Sequence, residues 1–257
     1  MLNIFKREKR YGVFDSKSYS KLLSLLKTMT TYTMDESERL TLTDYYYDSP
    51  TFLLEQNELL LRRRVVGKKA QLKIKRRHFN PDTVFSDNLR SHEREKMIGV
   101  HDSLSKHYFF LNNALNSMFS NNLQFDPDKL FEQMKVFMVI TMKRETRKLY
   151  GYGGLKIEIL HEFLNFENRS TKRKNQTELI QFDLLSSDDT LPLFEDFITR
   201  VEKHCKELFY SKDSRFEVAV RMTKPLPSKE EMKKKNDDLL RARMQRESND
   251  NITGSAK

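Results

Sequence analysis

The sequence predicts an α+β fold built on a closed or nearly closed antiparallel sheet with flanking helices. Three observations predict it: roughly eight segments read as strands, about three read as main helices, and no internal repeat runs through them. At 257 residues the chain can bury a sizeable core, and its 18 Phe and 10 Tyr supply the bulk.

Residues 4–13 open as a strand with charged alternate positions. Phe14, Asp15 and Ser16 form a turn and N-cap signal. Tyr19, Leu22, Leu23 and Leu26 follow at helical spacing, which makes 17–27 an amphipathic helix. Residues 39–47, rich in Thr and Tyr, read as a strand that Asp48, Ser49 and Pro50 break. Residues 59–66 and 70–77 are strands joined through Gly67, Lys68 and Lys69 as a hairpin. A polar loop over 78–88 leads to a charged strand at 92–98, and Leu104, Tyr108, Leu111, Leu115 and Met118 mark a helix. Residues 134–148 and 155–160 are strands around a glycine-rich turn. A polar loop is expected over 165–176 and a strand over 178–184. Phe194, Phe197, Ile198, Val201, Cys205 and Leu208 mark a long helix. Residues 215–222 alternate strictly and read as a last strand. Pro225 and Pro227 divide a 1–225 domain from a 226–257 charged tail, helical over 228–247 and then disordered.

Charge narrows the function classes. The 47 Lys and Arg against 37 Asp and Glu give +10, of which the tail carries only +2, so the body itself is basic. That balance predicts polyanionic partners: phosphates, nucleic acid or an acidic surface. The single cysteine, Cys205, allows no intramolecular disulfide and fits a reducing, intracellular and cytoplasmic setting. Apolar runs fall far short of a bilayer span. No signal peptide, Walker-type loop, Cys-x-x-Cys or nucleophile elbow is visible. The histidines have no metal-ligand spacing, and Cys205 sits on an apolar helix face as a core thiol.

The unusual feature is charge at two-residue spacing on strand after strand. Lys6, Glu8 and Arg10 share a face, as do Arg62 and Arg64, Lys73 and Lys75, Glu93 and Glu95, Lys156 and Glu158, and Arg215, Glu217 and Arg221. If these faces point into a closed sheet, the lumen is charged, and buried charge needs partners or a ligand. Such a lumen suits a polyphosphate. Lys and Arg grip phosphate oxygens, while carboxylates hold a hard divalent cation.

These segments resemble the CYTH, or triphosphate tunnel metalloenzyme, superfamily, and its thiamine-triphosphatase-like members in particular. Residues 40–64 are similar to a Tyr-Tyr-Asp-Thr-Pro turn followed by Leu-Arg-x-Arg, and 70–77 resemble the family's Lys strand. Residues 92–98 resemble its Glu-x-Glu strand, and 140–150 its Lys-Arg strand. Residues 154–160 and 177–184 fall where its late acidic strands belong, and 210–222 resemble its closing segment.

The resemblance implies an eight-stranded antiparallel β-barrel, a tunnel that binds a triphosphate and a divalent metal, Mg²⁺ or Mn²⁺, and releases the terminal phosphate. It implies phosphate contacts from Arg10, Arg62, Arg64, Lys73, Lys75, Lys143, Arg144 and Arg221. Catalytic duty falls to Glu93 and Glu95 with Lys75 and Arg144, and metal ligation to Glu8, Glu158, Glu178 and Asp183. Substrates implied are inorganic triphosphate, thiamine triphosphate, a nucleotide or an RNA 5′ end. Two other readings are a metal-poor module holding polyphosphate or RNA, and a polyphosphate polymerase. The family's first-strand Glu-x-Glu-x-Lys reads here Lys6-x-Glu8-x-Arg10, and a late acidic pair reads Glu158-x-Leu160. The final Glu-x-Glu reads Glu178-x-Ile180 or Gln181-x-Asp183, so cations are better kept than acids.

Overall fold

A computed structural model describes residues 7–13, 17–76, 93–119 and 126–223. The expected loop at 78–88 and the tail beyond 223 lie outside the described residues, as do residues 4–6. The strands are β1 (Glu8–Val13), β2 (Thr33–Met34), β3 (Glu38–Asp48), β4 (Leu59–Val66), β5 (Lys69–Arg76), β6 (Glu93–Ile98), β7 (Lys135–Tyr150), β8 (Lys156–Asn168), β9 (Arg173–Leu184) and β10 (Leu208–Tyr210). The helices are α1 (Ser18–Thr28), α2 (Leu53–Gln56), α3 (Tyr108–Phe119), α4 (Pro127–Gln133), α5 (Leu191–His204) and α6 (Arg215–Thr223).

All ten strands form one antiparallel sheet in the order β10-β1-β9-β8-β7-β3-β4-β5-β6, with β2 added on β7. The α+β class stands. The closed eight-stranded barrel does not describe the hydrogen bonding, because among the described residues β10 and β6 are not paired with each other. The expected closing strand at 215–222 is the helix α6. Its buried positions are Phe216, Val218, Ala219 and Thr223, a helical stripe that also satisfies alternation over a short window. Ser214 and Glu217 explain the choice. The Ser214 amide donates to Glu217 Oε2 at 2.6 Å and the Glu217 amide donates to Ser214 Oγ at 3.3 Å, a capping box.

The expected polar loop at 165–176 is mostly hairpin, with β8 and β9 paired out to Asn168 opposite Arg173. Asn168 Oδ1 accepts the amides of Ser170 and Thr171, both at 3.0 Å, and so closes the turn. The polarity that suggested a loop belongs to alternate strand positions. The long helix near the C-terminal end stops at His204, and Leu208 opens β10 instead.

Successive side chains divide the sheet into two faces. On the outer face, α1 and α5 cover β1, β9, β8 and the far end of β7 through Tyr11, Leu22, Leu149, Ile157, Ile159, Phe182, Phe194 and Phe197. A second outer cluster sets α2, α3 and α4 against β4 and β5 through Leu54, Leu61, Leu72, Ile74, Leu111, Leu115 and Phe131. On the inner face, Phe216, Val218 and Ala219 of α6 pack on Leu42, Tyr46, Met138, Ile140, Leu164, Phe166 and Leu179. Half of the inner face is thus an apolar plug, and the charged residues occupy the other half. No helix among the described residues is long and apolar enough to cross a membrane.

Phe216 anchors the plug, its ring 4.7 Å from that of Tyr46 and 5.8 Å from that of Phe137. Phe216→Ala should destabilise the protein by about 3–5 kcal/mol, read from the urea midpoint, because the rigid sheet around the ring cannot collapse onto the vacancy.

Candidate functional site

Beside the N-terminus of α6 lies a cavity of about 150 Å³. It is lined by Arg10 from β1, Tyr46 from β3, Leu60, Arg62 and Arg64 from β4, Lys73 and Lys75 from β5, Glu93 from β6, and Ser214, Arg215 and Phe216. Strands from opposite ends of the hydrogen-bond path meet here, so the sheet curls until its inner face looks at itself. The register explains the clustering. Arg62 sits directly opposite Lys73, Lys73 opposite Glu95, and Lys75 opposite Glu93. Of the charges spaced by two in the sequence, Arg62 with Arg64 and Lys73 with Lys75 line the cavity as pairs, and Arg10, Glu93 and Arg215 line it singly.

Two buried carboxylates make this wall possible. Asp44, fully buried, accepts a fork from Arg64, Nε to Oδ1 and Nη2 to Oδ2, both at 2.7 Å, and lies 3.9 Å from Arg62 Nη1. Glu162, also fully buried, accepts Arg144 Nε at 2.8 Å, Arg215 Nη2 at 2.8 Å and Arg215 Nε. Burial pushes Glu162 upward, but Arg215 and then Arg144 outweigh it and hold the carboxyl below its ordinary range. Arg10 pairs with Glu8 and donates to the Asp213 carbonyl at 2.6 Å.

Two cations are left over. Lys75 makes no salt bridge among the described residues, and Arg62 reaches only that distant Asp44 oxygen, its Nε buried without a hydrogen-bond partner. Burial lowers the Lys75 ammonium; Glu93 opposes the shift, and Arg62 and Lys73 add to it. A crowded, under-compensated cation pair is a site in want of an anion.

The acidic residues are arranged less favourably for a metal. Glu8, Asp183 and Glu158 stand in register across β1, β9 and β8 on the inner face. Their oxygen donors suit Mg²⁺ or Mn²⁺ by type. Yet Glu8 is taken by Arg10, and both Asp183 oxygens accept Gln181 Nε2, at 2.8 and 2.9 Å. No three His, Cys, Asp or Glu among the described residues come together closely enough to hold an ion. The residues as placed do not fit the metal that the family pattern implies. Burial pushes the Asp183 carboxyl up to about 6, with Gln181 opposing and Glu8 and Glu158 adding to the rise.

Other sequence-derived candidates fall elsewhere. Lys143 is exposed on the outer face, because Met138, Ile140 and Met142 put the even positions of β7 inside. Glu178 also lies outside, bonded to His161 Nε2 at 2.5 Å, the histidine ring stacking on Tyr19 with centroids 3.7 Å apart. Arg221 is on α6, paired with Asp213 and largely exposed. Arg144 faces in but grips Glu162. Glu95 pairs with Lys73 at 3.1 Å, half exposed, while Glu93 pairs with the same lysine and reaches the cavity. Sequence reasoning missed Asp44, Glu162, Gln181 and Arg215 as site residues. Arg215 alternates with Glu217 and Arg221 as a charged strand face would, but the Ser214-x-x-Glu217 signature marks a helix N-terminus there.

The CYTH domain profile matches residues 16–174, more than half of the chain, and the chain belongs to that family. Among solved structures it is similar to HpAC1 from Hippeastrum, named as an adenylyl cyclase and described by a dominant triphosphatase activity. That match has 15% identity over 86% of this chain and 97% of the other, with a TM-score of 0.48. A protein of Bacillus halodurans named as an adenylate cyclase matches at 13% identity over 76% and 89%, TM-score 0.45. A Pyrococcus horikoshii OT3 protein matches at 13% over 84% and 99%, TM-score 0.42. No curated protein matches the chain.

Two predictions follow from this wiring. Arg64→Ala strands Asp44 without its fork and should cost about 3–5 kcal/mol in urea unfolding, whereas Arg62→Ala, which leaves Asp44 its Arg64 fork and removes only a contact at 3.9 Å, should cost under about 1 kcal/mol. Asp183 has a folded pKa above its unfolded one, so its contribution to stability is full below about pH 4 and is lost as pH rises through 6. Asp183→Asn should raise stability at pH 7.5 by about 1–3 kcal/mol and flatten the pH dependence between 4 and 7.

Proposed function

We propose that this CYTH protein binds the triphosphate group of its substrate in the inner cavity and releases the terminal phosphate. The observation that carries the reading is the under-compensated pair Arg62 and Lys75 facing the cavity among four further cations, Arg10, Arg64, Lys73 and Arg215. A triphosphate supplies the negative charge those groups lack. Arg62 and Lys75 contact its oxygens directly, and Arg10, Arg64 and Arg215 stay where their carboxylates hold them and contribute field. Such preorganised cations favour the charge that moves to the leaving oxygen during phosphoryl transfer, and they need no reorganisation to do so. Drawing Lys73 onto the phosphate frees Glu93 at the cavity edge to orient a water molecule. Glu95 is its neighbour on the same face and pairs with the same lysine.

A second reading, a module that holds polyphosphate or an RNA 5′ end without turnover, is favoured by one specific observation. Two of the three acids in register are already engaged, Glu8 by Arg10 and Asp183 by Gln181, and Leu160 takes an acidic place of the family pattern.

Phosphate release should be measured from tripolyphosphate, thiamine triphosphate, ATP and a 5′-triphosphate RNA, each with Mg²⁺, with Mn²⁺ and with chelator. Release from at least one of the four supports hydrolysis. Tight binding with no release under any condition supports the second reading, and absence of both overturns the assignment. Arg62→Ala and Lys75→Ala should each lower turnover, or affinity where there is no turnover, by about a hundredfold with little change in melting temperature.

A further inference from the structure

We infer that Gln181 is a positioning residue that locks Arg10 and Arg215 onto the cavity wall by a neutral acceptor; the inference rests on the cavity being an anion site. Gln181 lies mid-strand in β9, opposite Arg10 on one side and Leu160 on the other, and is 5% exposed. Its Oε1 accepts three guanidinium contacts: Arg10 Nε at 3.1 Å, Arg10 Nη2 at 3.0 Å and Arg215 Nη2 at 3.0 Å. Its Nε2 donates to both oxygens of Asp183.

A side-chain amide does both at once, from two separate atoms. It accepts from cations on one side and donates to a carboxylate on the other. A carboxylate at 181 would still receive the two arginines, but it would cancel part of their charge and stand two residues from Asp183 on the same strand face. An apolar residue would add no charge but would remove the acceptor that Arg10 and Arg215 share, leaving each tied only to its own acid or carbonyl. Arg10 and Arg215 come from β1 and α6, which are distant in sequence, so Gln181 is the shared acceptor that fixes one relative to the other. Leu160, the neighbour across β8, offers no competing polar atom and leaves the amide a single orientation.

Tripolyphosphate affinity, by calorimetry at pH 8 on the full chain, and melting temperature separate this role from a merely structural one. Gln181→Met keeps length and removes both polar atoms. It should weaken binding by about tenfold or more. Gln181→Glu keeps the acceptor for both arginines. It should hold the melting temperature within a few degrees of wild type yet weaken tripolyphosphate at least as much, with the deficit shrinking as salt rises. If Gln181→Met does not fold, Gln181→Glu decides. Wild-type affinity in Gln181→Glu, or affinity lost only in step with melting temperature across both variants, overturns the inference. Failure of the wild-type protein itself to bind tripolyphosphate overturns the anion-site reading, and the inference with it.

Discussion

A carboxylate with no access to water, Glu162, holds arginines from two elements far apart in sequence, and the cationic interior depends on that grip. Arg144 comes from β7 and closes on Oε1, while Arg215, from the first turn of α6, spans both oxygens. Breaking such a buried arrangement from one side leaves an unmatched charge in a low-dielectric setting, so its members stand or fall together. Asp44 repeats the device for Arg64. These internal anions let several guanidinium groups share one small space before any ligand arrives.

The same economy divides the inner face. Where α6 lies against the sheet, the inward positions are Leu, Met, Ile and Phe, and burial of apolar area holds the helix down. Where α6 begins, they become Arg, Lys, Glu and Asp. Arg215 sits at the border, one residue from Phe216, so the element that plugs one half also furnishes the wall of the other. The position of the cavity is thereby tied to the packing of the plug, although the two halves share no chemistry.

The sequence made some of this legible and concealed the rest for definite reasons. Arg62 with Arg64 and Lys73 with Lys75 could be assigned to one face because a strand repeats every two residues, and the hairpin at Gly67 brought the pairs together. Which face is inward is a different matter. Lys143 and Arg144 are adjacent, only one can point in, and the deciding phase of Met138, Ile140 and Met142 is blurred by Val139, which is itself buried. Glu178 failed by the same parity. Asp44 and Glu162 were not singled out because a lone acid on a strand carries no pattern, and their partners are set by register across strands. In α6, nine residues are too few for periodicity to separate helix from strand, and only the local serine–glutamate reciprocity does so.

The unjoined margins of the sheet have a mechanical meaning. Backbone ladders fix neighbouring strands at one spacing, but none spans from β6 to β10 among the described residues. Across the cavity between these edges stand side chains, lysine and glutamate from β5 and β6 on one bank and Arg10 from β1 on the other. An occupant that touches both banks would do for the two edges what a clasp does for an open bracelet, and draw the curl tighter around itself.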